Sequence, residues 1–167
     1  PVAAGAGAIA IGNGACGQSD GTVALGDRAC ANYYSVAIGT LAKADEAGVS
    51  ISAAGSGVCA ASRAIGIGNA ASATGQASIS MGRLSSASGC GAIAIGLETT
   101  AIGICSVALG AGACATVDGA VALGTGVTAA ICNTVTVREL ETCTANGGIT
   151  LKSTDTTTEK ITLSDLN

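Results

Sequence analysis

The sequence predicts an all-β chain folded as a two-sided parallel β-solenoid, or β-roll, built of many short, near-identical coils. Three observations carry that expectation. A short aliphatic motif recurs at nearly constant spacing, apolar and small residues alternate within each copy, and glycine closes most copies.

The motif is a β-branched residue, a small residue, an aliphatic residue and then glycine. It reads IAIG at Ile9, VALG at Val23, VAIG at Val36, VSIS at Val49, IGIG at Ile65 and ISMG at Ile79. It continues as IAIG at Ile93, VALG at Val107 and VALG at Val121, with degenerate copies VTVR at Val135, ITLK at Ile149 and ITLS at Ile161. From Ile65 to Ile149 every copy starts at the same interval. Earlier in the chain the coils ending at Val36 and Val49 are each one residue shorter, and the coil ending at Ile65 is two longer. Self-similarity at a fixed short period is the signature of a repeat architecture. Helical repeats need about 30 residues per unit, and collagen needs glycine at every third position; neither pattern is present.

Alternation of apolar and small residues is the period-2 pattern of a strand. Glycine at the fourth position (Gly12, Gly26, Gly39, Gly68, Gly82, Gly96, Gly110, Gly124) suits a turn that needs positive φ or close backbone approach. A second, weaker strand follows in each coil, as in Ala29-Cys30-Ala31, Ala42-Lys43-Ala44, Ala71-Ser72-Ala73 and Ala113-Cys114-Ala115. Two strands and two tight turns make one coil, and coils stack at about 4.8 Å.

Composition favours a thin core repeated many times. Phe, Trp and His are absent, and Tyr33 and Tyr34 are the only aromatics. Aromatic side chains bury the most area per residue and usually dominate a compact core. The net charge is −4 with 11% charged residues and no basic cluster, which excludes the Lys/Arg stripes of nucleic-acid binders. No apolar run approaches the roughly 20 residues of a membrane-spanning helix. The chain begins at Pro1 without a signal-like segment, so a processed product or an excerpt of something longer is expected.

The coil interior is expected to hold two branched aliphatics and two Ala-sized residues per rung. The small second-position column (Ala10, Ala24, Ala37, Ser50, Gly66, Ser80, Ala94, Ala108, Ala122) then faces outward. Water does not demand small residues, whereas close contact with a neighbouring backbone does. That column is therefore expected to pack against identical chains, while the outer column of the second strand, with Lys43, Ser72, Ser86, Thr100 and Thr128, faces water.

The segments VALGDRACA at Val23, VAIGTLAKA at Val36 and VALGAGACA at Val107 resemble the head repeats of YadA-like trimeric autotransporter adhesins. The resemblance covers about residues 8–130 in nine copies. It implies a left-handed parallel β-roll, a homotrimer around one axis and an adhesive role at a cell surface. Similar repeats occur in viral and phage fibres. The family's membrane-anchoring barrel and coiled-coil stalk are not in this sequence.

Domain organisation follows the repeat: residues 1–130 form the regular β-roll of nine coils, and 131–167 a degenerate, Thr-rich stretch read as a cap or a transition to a next module. The fourth copy is irregular, with Ser52 in place of glycine and two added residues, read as a bulged turn or an exposed contact loop. Tyr33 and Tyr34 lie where the repeat loses one residue, either as a recognition surface or as a cover for the edge of a thin core.

The eight cysteines leave two readings. Cys16, Cys30, Cys59 and Cys114 share one outward column, Cys90 and Cys132 share a turn position, and Cys105 and Cys143 stand alone. They serve as small apolar fillers, or some form disulfides in an oxidising compartment. Cys16 and Cys30, one rung apart, are at a separation a disulfide tolerates. No C-x-x-C and no histidine are present, so neither a metal site nor a catalytic thiol is expected, and no cofactor.

The functional expectation is a non-enzymatic structural fibre or shaft with an adhesive or display role, extracellular or at a cell or virion surface. Its partner is itself, with a receptor unidentified, no nucleic acid and no membrane insertion by this chain. The alternative is a virion fibre or coat-associated protein, favoured by the cysteine content. An ice-binding solenoid is the weaker third reading, since Thr136, Thr150 and Thr162 form only a short ladder. Acyltransferase solenoids use longer coils and a histidine base, and calcium-binding rolls use a G-G-x-G-x-D repeat; both patterns are missing.

Overall fold

The computed structural model describes residues 1–52 and 59–138. Over these residues the chain is all-β without a helix, wound as a parallel β-solenoid of two ten-stranded sheets. One, the front sheet, runs from Ile9–Ile11 through Val23–Leu25 and Val107–Leu109 to Val135–Val137. The other, the back sheet, runs from Val2–Ala3 through Cys16–Gly17 and Cys114–Ala115 to Thr128–Ala129. The chain alternates between them, so every strand except those at the ends of the stack pairs with the strand one coil earlier and one coil later.

The repeat fixes the register. Val23 pairs with Val36 across a shortened coil, and Val49 pairs with Ile65 across a lengthened one. Length changes are therefore absorbed in turns, not in strands. The front-to-back turn has three residues, as in Gly110-Ala111-Gly112. The back-to-front turn has four in the regular coils (Gln18 to Gly21) and three in the shorter ones (Asn32 to Tyr34, Asp45 to Ala47). The fourth-copy insertion falls between Ser52 and Cys59, outside the described residues, and the ladder resumes in register on either side. The strand Val135–Val137 still pairs with Val121–Leu123, so the ladder runs past residue 130. The copies at Ile149 and Ile161 lie outside the described residues.

Glycine at the close of the front strand has the role its position predicts. Gly96 and Gly110 adopt φ of 138° and 125°. A Cβ at Gly96 would lie 2.8 Å from the carbonyl oxygen of Gly110 in the next coil. Any side chain would push adjacent coils apart, and the backbone ladder with them. Other turn positions reach positive φ without glycine, including Arg28, Leu41, Leu84 and Cys105. A single left-handed L-residue costs about 1–2 kcal/mol, and the stacked ladder holds it there.

The core reverses the expected assignment of faces. The second-position column points into the coil. Ala24, Ala37, Ser50, Ser80, Ala94, Ala108 and Ala122 are wholly buried within one chain, Gly66 is buried, and Ala10 is half-buried near the start of the stack. Each coil places four small residues inside: Ala92, Ala94, Thr99 and Ala101 in one, then Ser106, Ala108, Ala113 and Ala115 in the next. The largest fully buried side chains are threonines and serines. Turns of three or four residues hold the sheets closer than the roughly 10 Å of ordinary sheet packing. A gap that narrow admits Ala, Ser or Thr and rejects a pair of facing branched aliphatics. Val, Ile and Leu consequently point outward.

Most hydroxyls in this core have partners: Ser80 and Ser85 share a 2.7 Å hydrogen bond, Ser35 donates to the Ala44 carbonyl, and Thr99 donates to the Gly96 carbonyl. Ser78 and Ser106 are buried with no partner for their Oγ. Ser106 is flanked in its column by Ala92 and Ala120, also buried. Ser106→Ala should therefore raise stability by about 1 kcal/mol, because a desolvated, unpaired hydroxyl is removed without leaving a cavity. Ala108→Leu should destabilise by about 3 kcal/mol or more through overpacking. Thermal unfolding at one fixed chain concentration measures both; a tolerated Ala108→Leu would return that column to the outside.

Candidate functional site

Two outward faces of opposite character flank this small-residue core. On the back sheet the outward column is Val2, Cys16, Cys30, Lys43, Cys59, Ser72, Ser86, Thr100, Cys114 and Thr128, of which Val2, Lys43, Cys59 and Thr128 are exposed and the rest half-buried. Beyond Val2 it is polar or thiol-bearing, as expected for a surface meeting water.

The front sheet presents two aliphatic columns. Ile9, Val23, Val36, Val49, Ile65, Ile79, Ile93, Val107, Val121 and Val135 form the first. Ile11, Leu25, Ile38, Ile51, Ile67, Met81, Ile95, Leu109, Leu123 and Val137 form the second. Each is in register with its neighbours in the coils above and below. Stacking leaves these side chains partly covered, yet Met81 and Ile95 remain 37% and 39% exposed. Ten rungs at about 4.8 Å make a continuous apolar strip about 43 Å long. Contiguous apolar surface of that extent marks an interaction face. The column expected from the sequence to meet neighbouring chains points inward, and the aliphatic ladder lies on the opposite, outward side of the same strands.

Within the cysteine column, Cys16 and Cys30 are directly paired in register on adjacent back strands. Both are free thiols, and Cys59, Cys90, Cys105, Cys114 and Cys132 are free as well. Cys143 lies outside the described residues. Burial pushes the Cys30 thiol above its ordinary pKa, the adjacent Cys16 adds to the rise by charge and hydrogen bonding, and Lys43 on the next rung opposes it. Cys90 and Cys105 sit at neighbouring back-to-front turns, where the Cys105 N–H donates to the Cys90 carbonyl.

Tyr33 and Tyr34 project from a three-residue back-to-front turn with φ of 38° and 55°. They are 62% and 70% exposed, so they do not form part of the core. The neighbouring turns are tied together by side chains: Asp20 Oδ1 accepts the Ala6 N–H at 2.7 Å, and Asp118 Oδ1 accepts the Ile104 N–H at 2.8 Å.

Because the Cys30 thiolate forms only above the usual thiol range, iodoacetamide should alkylate Cys30 with a rate–pH midpoint higher than that of free cysteine in the same buffer. Cys16→Ser should lower that midpoint, since one of the groups that raises it is removed. Mass-resolved alkylation of the intact protein reads both; a midpoint at or below that of free cysteine would contradict the buried, paired environment.

No curated protein matches the chain. The family model of the YadA head domain repeat matches it twice, over residues 73–99 and 101–126. These spans each comprise about two successive coils, from the inward Ala73 to the front-to-back turn at Gly126. The regular stretch of this β-solenoid from residue 73 to residue 126 is therefore similar to YadA head repeats.

Proposed function

We propose that the chain is a non-enzymatic rod module of a surface fibre, assembled as a homotrimer through the aliphatic strip of its front sheet and serving as a structural or adhesive shaft. The observation that carries this reading is the contrast between its two outward faces. Beyond Val2 at its first rung the back sheet presents thiols, hydroxyls and a lysine, while the front sheet presents Val, Ile, Leu and Met over ten rungs. Water accounts for the first and not for the second.

A second copy of the chain is the occupant best matched to that strip. Its own ladder has the same rung spacing, so aliphatic side chains of one copy meet those of another at every coil. The likeness to YadA head repeats supports three copies and placement outside the cell, at a cell surface. Rigid rods carry contact surfaces away from an anchor, and three chains multiply weak contacts through avidity. Residues 131–167, rich in Thr and charge, are read as the cap or the transition to a further module.

The second reading, a virion fibre, is favoured by the eight cysteines and by the in-register pair Cys16 and Cys30, which an oxidising environment would link across adjacent coils. Of the threonines considered for an ice-binding ladder, only Thr136 falls among the described residues.

Native mass measurement with and without reductant tests the assembly. The expected species has about three times the 15.6 kDa chain mass and survives reduction. Replacing Ile95 and Leu109 together with Asp should yield a single-chain species that keeps its β-rich circular dichroism, since both side chains point away from the core. A wild-type protein that is a single chain at micromolar concentration overturns the reading.

A further inference from the structure

The shortening of the repeat at its third rung creates a groove. The turn Gln18 to Gly21 has four residues, and the turn directly above it, Asn32 to Tyr34, has three. The upper turn is thus drawn back by one residue, and the lower one forms a ledge beneath it. The Tyr34 N–H donates to the Asp20 carbonyl and the Gly21 N–H to the Ala6 carbonyl, which stacks three successive turns. A groove of about 390 Å³ opens there, lined by Ala4, Gly5, Gln18, Ser19, Asp20 and the two tyrosines.

Among the described residues, Tyr33 and Tyr34 are the only two consecutive non-glycine residues at positive φ. Gly21 has φ of 63°, and a Cβ added to it would lie 2.8 Å from Cδ1 of Tyr34. The absence of that Cβ lets the Tyr34 ring settle on the ledge. Two consecutive non-glycine residues in the left-handed region are costly, and here they present the only two aromatic rings of the sequence to solvent.

We infer that this groove is a binding site for a neutral saccharide. The chemistry of the lining selects that class. Tyrosine rings offer apolar faces for the C–H face of a pyranose together with hydroxyls at their tips. Gln18, Ser19 and Asp20 add a mixture of donors and acceptors, which a polyhydroxyl ligand can satisfy. Asp20 is the one charged group of the lining, and its carboxylate is oriented by the Ala6 N–H. Negative ligands are repelled by it, and a purely cationic ligand would leave the donors of Gln18 and Ser19 without acceptors. The volume lies in the range of small-molecule sites. All of these groups come from one chain, so the site goes beyond the proposed trimeric rod and does not depend on its assembly.

Saturation-transfer NMR on the intact protein, with glucose, galactose, mannose and N-acetylglucosamine as probes, tests the assignment. At least one sugar should receive saturation. Tyr33→Ala and Tyr34→Ala should each weaken binding roughly tenfold, and Tyr34→Phe should retain most of it. Because both tyrosines are exposed, native mass and circular dichroism of these variants should match wild type, which separates loss of the site from loss of the fold or the trimer. No saturation of any sugar, undiminished binding by both alanine variants, or saturation of choline in place of the sugars would overturn the assignment.

Discussion

The separation of the two sheets governs the rest of this molecule. Turns of three or four residues, several of them in the left-handed region, draw each strand close to its partner sheet. In that gap the buried interior of the described residues is Ala, Ser, Thr and Gly with one exception, Val127. A core of methyl groups contributes little apolar burial per coil compared with the ordering of every residue in it. Regularity compensates: every strand is hydrogen-bonded along both edges except at the ends of the stack, and tightly packed glycine turns hold adjacent coils at ladder spacing.

An outward-facing aliphatic strip follows from the same constraint. Strand side chains alternate sides, so once the small residues occupy the interior the large ones have nowhere to go but out. The chain thus carries its strongest hydrophobic resource on its surface, and its stability becomes coupled to whatever covers that surface. For a second copy with identical rung spacing the match extends over the whole length of the strip. This links a local matter, the reach of a three-residue turn, to the assembly proposed for the protein.

Function-bearing detail accumulates where the repeat departs from its mean. In the regular coils of residues 73–126 each rung resembles the next, and little distinguishes one surface position from another. One residue lost from a turn near the start is enough to make a ledge, seat a tyrosine ring on a glycine and open a groove beside an oriented carboxylate. The strand ladder tolerates such changes because they are confined to turns, and Val23 still meets Val36 in register across the shortened coil.

Periodicity was enough to establish the class of fold, the coil length, the two strands per coil, the glycine turns and the outward column running from Cys16 to Thr128, because a repeat reports local geometry directly. It was also enough to bring Cys16 beside Cys30, since register follows from repeat spacing. Which face of the front strand points inward emerged only once the coils were stacked in three dimensions. Period-2 alternation marks two faces as different, and hydrophobicity alone assigns the larger side chains to the interior. The distance between the sheets overrules that assignment, and it depends on the backbone path through the turns, with residues such as Arg28, Leu41 and Leu84 held at positive φ. The groove beside Tyr33 and Tyr34 was likewise invisible in one dimension. It exists because two successive back-to-front turns of unequal length, Gln18 to Gly21 and Asn32 to Tyr34, lie one above the other in space.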